Sequence, residues 1–314
     1  MGPDSPLTPR TLPIILDTEI GGEPDDAMAL IIAARELPEL ALVVTTDELN
    51  GERARFARFL LDRAGRSDVA VVAGRQLSST APYFAHGLTP DWVTPPSGEV
   101  TRAVAEAAAR SGGAARWIGL GPLSNLAGLL AHQPELARRL FVTQLTGTSD
   151  HAGQALPPRN FRLDPVAARQ VLAAAPHLRL VSFALPAGRQ VQLTAASPAV
   201  RRLAGTVPAR AGHSWETLLA AHIGQFFTRY HPAVFPAAPL ALAAALRLPF
   251  TSFGLARVTV SETGGMGTGP GGDVLISQDV DYRALGEWLR ARLRPQRRAQ
   301  WAPTGHRPLR AVRV

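Results

Sequence analysis

Residues 15–26 read ILDTEIGGEPDD and place a dense group of acids directly after an apolar run. The run LPIIL at 12–16 is typical of a buried strand, so Asp17 falls at the carboxyl end of that strand. The helix formers AMALII follow Asp25 and Asp26, which predicts that a helix begins at these two acids. One turn therefore carries five carboxylates: Asp17, Glu19, Glu23, Asp25 and Asp26.

A cation among these acids is the natural explanation for so much negative charge. Asp25 and Asp26 suit a helix N-terminus, because its unpaired N–H groups and its dipole favour acids. Asp17 and Glu19 have no such role and would repel the other acids unless a positive charge lies among them. Since carboxylate oxygens are ligands of hard cations, the turn predicts a calcium or magnesium ion.

Apolar runs of strand length alternate with helix-length stretches along the chain. The runs are LPIIL, LALVVTT, VAVVAG, RWIGLG, LFVTQLTG and LRLVSFAL, and later LARVTV and GDVLIS. This alternation predicts an α/β fold with a Rossmann-like core, a mostly parallel sheet with helices on both faces. Ligands of such folds bind at the carboxyl ends of the strands. Residues 195–247 look mainly helical and predict a C-terminal helical subdomain within one domain, 12–293.

The composition excludes several kinds of chemistry. The 314 residues include no cysteine and no lysine, so thiolate nucleophiles, disulfides and lysine Schiff bases are absent. No apolar run is long enough to cross a membrane and no signal-peptide pattern opens the chain, so we expect a cytoplasmic protein. Residues 290–314 carry eight Arg and no acid. We interpret 294–314 as a basic, partly disordered tail, with nucleic-acid binding as the less favoured alternative.

Six stretches resemble, in the right order, motifs of the inosine/uridine-preferring nucleoside hydrolases. They are LDTEIGGEPDDAMAL, PELALVVTTDELN, AHGLTP, IGLGPLSNLAGLLAHQPELARRL, RNFRLDPVAARQVL and QDVDYRALGEWLRARL, which span about 12–293. The resemblance implies the fold of this family and its reaction, cleavage by water of the N-glycosidic bond of a ribonucleoside. It also implies a calcium ion that holds two ribose hydroxyls and a water, a nucleoside-like ligand, and a homo-oligomer, either a dimer or a tetramer.

The resemblance assigns catalytic and metal-binding roles to particular residues. Asp17, Glu19 and Asn50 match catalytic positions, and Glu19 stands where the family has the base that takes a proton from water. Asn50 matches a residue that lines the site of the ribose and the water. The metal ligands that the resemblance implies are Asp17, Glu19, Asp26 and Ser124.

Four residues are candidates for binding the substrate. Asn160 matches a family residue that contacts the ribose, and His86 lies in the loop near the base of the nucleoside. Asp47 is an extra acid at the same predicted strand edge. Arg159 is a cation beside Asn160 that can hold an anionic group.

Four positions depart from the family pattern, and all of them concern one site. Glu19 replaces an Asp, which moves the carboxylate by about 1.5 Å, and Pro158 replaces a Glu. Ala237 and Ala238 replace a His-Asp pair whose Asp is a calcium ligand and whose His faces the leaving base. We therefore predict that the calcium site is weakened or lost. Extra acids offer some compensation at Glu23, Asp47 and Glu48.

These departures leave three functions open. The first is hydrolysis of an N-glycosidic bond of a ribonucleoside or a related glycoside, with Glu19 as the base. The second is a different, calcium-independent reaction on the same fold, for example in specialised metabolism. The third is a non-catalytic binding protein.

Overall fold

Eight strands form one sheet in the part of the chain that the structure describes. The computed structural model covers residues 12–77, 82–148, 150–151, 154–155, 157–183, 188–205 and 214–294, so the tail from 295 onward lies outside it. The sheet has the strand order β11-β12-β8-β5-β4-β1-β2-β3, and its neighbours are parallel except β11 and β12. The strands are β1 (Ile14–Thr18), β2 (Leu40–Thr45), β3 (Ala70–Ala73), β4 (Ala115–Gly119), β5 (Leu140–Thr148), β6 (Asp150–His151), β7 (Gln154–Ala155), β8 (Leu178–Phe183), β9 (Leu193–Thr194), β10 (Ala233–Val234), β11 (Thr251–Val260) and β12 (Met266–Val280).

Helices connect most of these strands. They are α1 (Pro24–Glu36), α2 (Glu52–Arg63), α3 (Val100–Ala109), α4 (Ser124–His132), α5 (Pro134–Ala137), α6 (Arg159–Leu163), α7 (Pro165–Ala174), α8 (Pro198–Gly205), α9 (Trp215–Arg229), α10 (Ala237–Ala245) and α11 (Tyr282–Arg292). Within the described ranges, none of them combines the length and the apolar character needed to cross a bilayer.

The sheet is covered on both faces, as the alternating pattern predicts. Ile14 and Leu16 of β1 join one apolar cluster, which also contains residues of α1, α2, α9, α10 and α11. Ile15 points the other way and joins a second cluster with residues of α3, α4 and α7. Because both faces are buried, the central strands are apolar throughout, which is why their runs stand out in the sequence. The predicted fold class is confirmed.

The predicted helical subdomain at 195–247 contains α8, α9 and α10, while 206–213 lies outside the described residues. α10 is buried along nearly its whole length and packs against α1 and β5. Its residues belong to the same apolar cluster as Leu16 of β1. The helical region thus shares a core with the sheet, and its division into a subdomain stays a prediction.

The order in which the chain adds strands to the sheet reverses at β1. The chain runs from β1 outward through β2 to β3, and then returns to place β4 on the other side of β1. Asp17 lies in register with Val44 of β2 and with Gly119 of β4. The acidic turn therefore opens at a topological switch point, where α/β folds leave a crevice at the carboxyl ends of the strands.

Gly21 gives this turn its shape, because its φ of +90° lies in the left-handed region. The Tyr83 ring covers it, and a Cβ at this position would lie 2.2 Å from Tyr83 Cε2. The Gly21 carbonyl also accepts a 2.6 Å hydrogen bond from the Phe84 N–H. The glycine thus lets the loop that carries Tyr83 lie directly on the acidic turn.

We expect Gly21→Ala to destabilise the protein more than Gly65→Ala. Gly65 has a similar φ of +77°, but no atom of the described residues lies within 4 Å of its Cβ position, so its substitution costs only the backbone strain of about 1–2 kcal/mol. At Gly21 a steric clash adds a further ~1–3 kcal/mol. Urea unfolding of both variants measures the difference, and equal losses would contradict close packing of Tyr83 on the turn.

Candidate functional site

Four carboxylates are buried together at the carboxyl end of β1. Asp17 is the second-last residue of the strand, Glu19 lies in the turn, and Asp25 and Asp26 belong to the first turn of α1. Their exposed fractions are 1%, 8%, 5% and 5%, respectively. Burial of a carboxylate is costly unless hydrogen bonds or cations compensate its charge, so the partners of each group define the site.

Asp25 and Asp26 of α1 accept hydrogen bonds from backbone N–H groups outside their own helix. Asp26 Oδ1 accepts hydrogen bonds from the Thr18 hydroxyl and, at 3.1 Å, from the Glu19 N–H. Asp25 Oδ2 accepts a 2.9 Å bond from the Ala238 N–H, at the start of α10. Asp25 therefore compensates an unpaired N–H of α10 as a capping residue would, although it lies far away in the sequence.

Asp17 is held by Asn125, a residue that our sequence reasoning did not single out. Asn125 Nδ2 donates to Asp17 Oδ1 and to the Thr45 carbonyl, both at 3.0 Å. Asn125 Oδ1 accepts a 2.9 Å bond from the Arg75 N–H. This amide joins the ends of β1, β2 and β3. In the sequence, the feature that points to Asn125 is its position directly after Ser124 in the motif GPLSNLAG.

Glu19 forms an ion pair with Arg159, the first residue of α6. Arg159 Nη1 donates to Glu19 Oε1, and the two side chains are 29% and 10% exposed, respectively. Glu19 Oε2 is buried and has no hydrogen-bond partner among the described residues. The pair thus fixes one carboxylate oxygen, while no described group occupies the lone pairs of the other.

Arg53 is a second cation beneath the turn, and the sequence reasoning also missed it. Its side chain is fully buried, and its guanidinium donates to four backbone carbonyls. The acceptors are the carbonyls of Glu19, Ile20, Asp47 and Pro82. Arg53 therefore joins the acidic turn, the loop after β2 and the loop that carries His86.

Burial and crowding raise the pKa values of the three Asp carboxyl groups of the site. Burial raises the pKa of Asp17 to about 8. Burial, with a contribution from the negative charge of Glu19, raises the pKa of Asp26 to about 7. The pKa of Asp25 is raised well above its usual range, first by burial and then by the charge of Asp26. The site therefore has an excess of negative charge that favours a bound proton or a nearby cation.

Asn160 and Ser124 lie at the same edge of the sheet and are held by protein groups. Asn160 Nδ2 donates to the carbonyls of Leu120 and Leu145 at 2.7 and 2.8 Å, respectively. The Ser124 hydroxyl donates to Asp164 Oδ2 at 2.6 Å. The predicted ribose contact of Asn160 and the predicted metal contact of Ser124 stay predictions.

The polar residues of the loop after β2 differ in their burial. Asn50 is exposed and has a left-handed φ of 53°. Asp47 is buried, with a φ of 49°. Glu48 accepts hydrogen bonds from the N–H groups of Gly51 and Ala54, at 3.0 and 2.8 Å, respectively, and so stabilises the start of α2. The catalytic role predicted for Asn50 and the substrate contact predicted for Asp47 stay predictions.

His86 lies in the loop that covers the acidic turn. Its ring packs edge-on against Tyr83 with 4.9 Å between ring centroids, and its carbonyl accepts a 2.9 Å bond from Gln225 of α9. In the same loop Phe84 contacts the rings of Phe226 and Tyr230, each at 5.3 Å. This loop, the end of α9 and Tyr230 therefore form an aromatic cluster, and the loop contacts the acidic turn at Gly21.

These residues do not fit a calcium ion in the arrangement described. Calcium takes about six to eight oxygen ligands. Asp17, Asp25 and Asp26 accept hydrogen bonds from protein donors, while Glu19 contacts a guanidinium. Ala238 has no side-chain oxygen. Within the described ranges no group of three or more His, Asp or Glu is arranged to hold a metal ion. The metal-binding roles predicted for Asp17, Glu19, Asp26 and Ser124 stay predictions.

The comparisons with known proteins agree with this fold. A family model described as inosine-uridine preferring nucleoside hydrolase matches residues 14–286, so the chain belongs to that family. Enzymes of the family cleave nucleosides as N-glycosidases, typically with a metal ion, and membership places this protein in the same enzyme class. No curated protein matches the chain significantly by sequence.

Solved structures share the fold over most of the chain. A plant nucleoside hydrolase, PpNRh1, is 20% identical with a TM-score of 0.70, over 90% of this chain and 99% of that chain. A purine-preferring ribonucleoside hydrolase from Gardnerella vaginalis is 19% identical with a TM-score of 0.71, over 89% and 97%, respectively. The effector protein XOO4466 is 17% identical with a TM-score of 0.65, over 90% and 92%. At these identities the likeness concerns the fold alone.

His222 of α9 contacts the backbone of the acidic turn at Gly22. It is fully buried, its Nε2 lies 3.0 Å from the Gly22 carbonyl, and Phe56 packs edge-on against its ring. Burial lowers the pKa of His222 from its ordinary value of 6.5 to about 4. The unfolded chain therefore binds a proton between these pH values that the folded protein does not. The resulting stabilisation is fully present above pH 6.5 and is lost as the pH falls towards 4.

We expect His222→Gln to weaken this pH dependence, because glutamine keeps a polar group but does not titrate. The free energy of unfolding of the wild type should fall relative to the variant by about 2 kcal/mol between about pH 7.5 and pH 5. Urea unfolding at a series of pH values measures this difference. Parallel curves for the two proteins would contradict a neutral, buried His222.

Proposed function

We propose that the protein hydrolyses the N-glycosidic bond of a ribonucleoside or a related glycoside, with Glu19 as the general base. One observation carries this proposal: Glu19 Oε2 is buried and unpartnered in the described structure, at the switch point of the sheet, while Arg159 holds Oε1. A carboxylate with one fixed and one available oxygen is suited to orient a water and accept its proton.

The proposed reaction needs no redox partner. Water adds its oxygen to the anomeric carbon of the sugar, and the electron pair of the C–N bond leaves with the base. Glu19 takes one proton from the water and later returns it to solvent, while the departing base gains one proton from solvent, so protons balance overall. Positive charge develops on the sugar in an oxocarbenium-like transition state. Asp17 and Asp26, whose pKa values are raised to about 8 and about 7, favour this charge in their ionised forms.

We expect Glu19→Gln to abolish most of this activity. Glutamine retains the size of the side chain and can still accept a hydrogen bond from Arg159, but it cannot take a proton from water. The rate of free sugar release from a panel of purine and pyrimidine nucleosides should fall by about 10²- to 10⁴-fold.

The matched control is Glu52→Gln, at the start of α2. Glu52 is 42% exposed and pairs only with Arg55 among the contacts described, so this variant should retain the wild-type rate. Sugar release by Glu19→Gln at the wild-type rate would overturn Glu19 as the base. Absence of sugar release by the wild type from every nucleoside would overturn the hydrolase proposal itself.

A second candidate is a different reaction in the same pocket, and the alanines at the start of α10 favour it. Ala237 and Ala238 offer no acid toward a leaving base, and the Ala238 N–H is occupied by Asp25. Mass spectrometry of the products distinguishes the candidates: hydrolysis yields the free sugar and the free base, whereas a redirected enzyme yields other products. Binding without any product would favour a non-catalytic role.

A further inference from the structure

We propose that the guanidinium of Arg159 is the resident cation of this site and takes over the charge-balancing role of a divalent metal ion. The protein then assembles its pocket without calcium. This inference rests on the pocket assigned above to hydrolysis, but its test measures metal binding and stability and needs no turnover.

The charges of the site support this assignment. Four carboxylates lie buried at the end of β1, and positive charge nearby stabilises their ionised forms. Arg159 contacts Glu19 directly, and Arg53 lies beneath the same turn on the carbonyls of Glu19 and Ile20. The two guanidiniums together carry two positive charges, the charge of one calcium ion.

The backbone is built to bring Arg159 to this position. α6 begins at Arg159, directly beside Gly147 near the end of β5. Gly147 has a φ of +96°, and a Cβ there would lie 2.9 Å from the Arg159 nitrogen. A side chain at position 147 would therefore push α6 away from the strand. The glycine thus allows the close approach that places the guanidinium on Glu19.

The carboxylates also accept hydrogen bonds from protein donors, an arrangement that suits a neighbouring guanidinium and not an added metal ion. Asp26 accepts from Thr18 and from the Glu19 N–H, while Asp25 accepts from the Ala238 N–H. An ion beside Glu19 would meet the positive charge of Arg159 at close range. Arg suits this partly buried position because its charge is permanent and its planar group is weakly hydrated.

The test is calcium titration by calorimetry together with thermal unfolding, on the full chain freed of metal by a chelator. The wild type should give no binding heat with calcium, and its Tm should be the same with millimolar calcium as with chelator. Arg159→Met should lower the Tm by about 2–4 °C or more, because the Glu19 charge loses its partner. Calcium should then raise the Tm of this variant, since a cation can enter the site.

Arg162→Met is the matched control, because Arg162 lies exposed on the same short helix. We expect it to keep the wild-type Tm and to show no response to calcium. The double variant Glu19→Gln with Arg159→Met removes both charges, so it should recover most of the Tm lost in Arg159→Met. This variant also provides the test if Arg159→Met alone does not fold.

Two results would overturn the proposal. The first is stoichiometric, micromolar binding of calcium to the wild type with a rise in its Tm. The second is a double variant that is no more stable than Arg159→Met, since the loss would then not come from an uncompensated Glu19. Neither result depends on sugar release, so this proposal and the hydrolase proposal fail separately.

Discussion

The burial of four carboxylates at the end of the central strand is the constraint on which the rest of the site depends. Each acid must be compensated, and a different part of the fold supplies each partner. Asn125 of α4 donates a hydrogen bond to Asp17, and Arg159 of α6 donates one to Glu19. The first turn of α10 donates a backbone N–H to Asp25. These contacts converge from both sides of the switch point. The acidic turn thus acts as the point at which the helices of the two faces are joined.

The same constraint explains the loops around the pocket. Arg53 holds three segments through their carbonyls, including the turn itself and Pro82 at the start of the loop that carries His86. Gly21 lets Tyr83 lie on the turn. His222 of α9 contacts the turn at the Gly22 carbonyl. The segments around the acidic turn are therefore held by direct contacts with it, which makes the candidate site largely preorganised.

Family membership and the chemistry of the site give complementary information. The match over 14–286 establishes the class of enzyme, while the particular residues determine how that chemistry can be carried out here. Glu19 and Ala238 change the groups that the resemblance assigns to calcium. The ion pair between Glu19 and Arg159 brings a cation back to the same place. The proposal that follows from this contact is an exchange of one kind of positive charge for another.

The sequence by itself determined the eight strands of the sheet, the fold class and the crowding of acids at the end of β1. It could do so because strand length, helix periodicity and turn chemistry are local, and because parallel strands bring their carboxyl ends to one edge. Only the tertiary structure decided the partners of the acids. Asp17 meets a residue 108 positions away, Glu19 one 140 away, and Asp25 one 213 away. No local pattern encodes such pairs, because they arise only when separate crossovers pack at the same edge of the sheet.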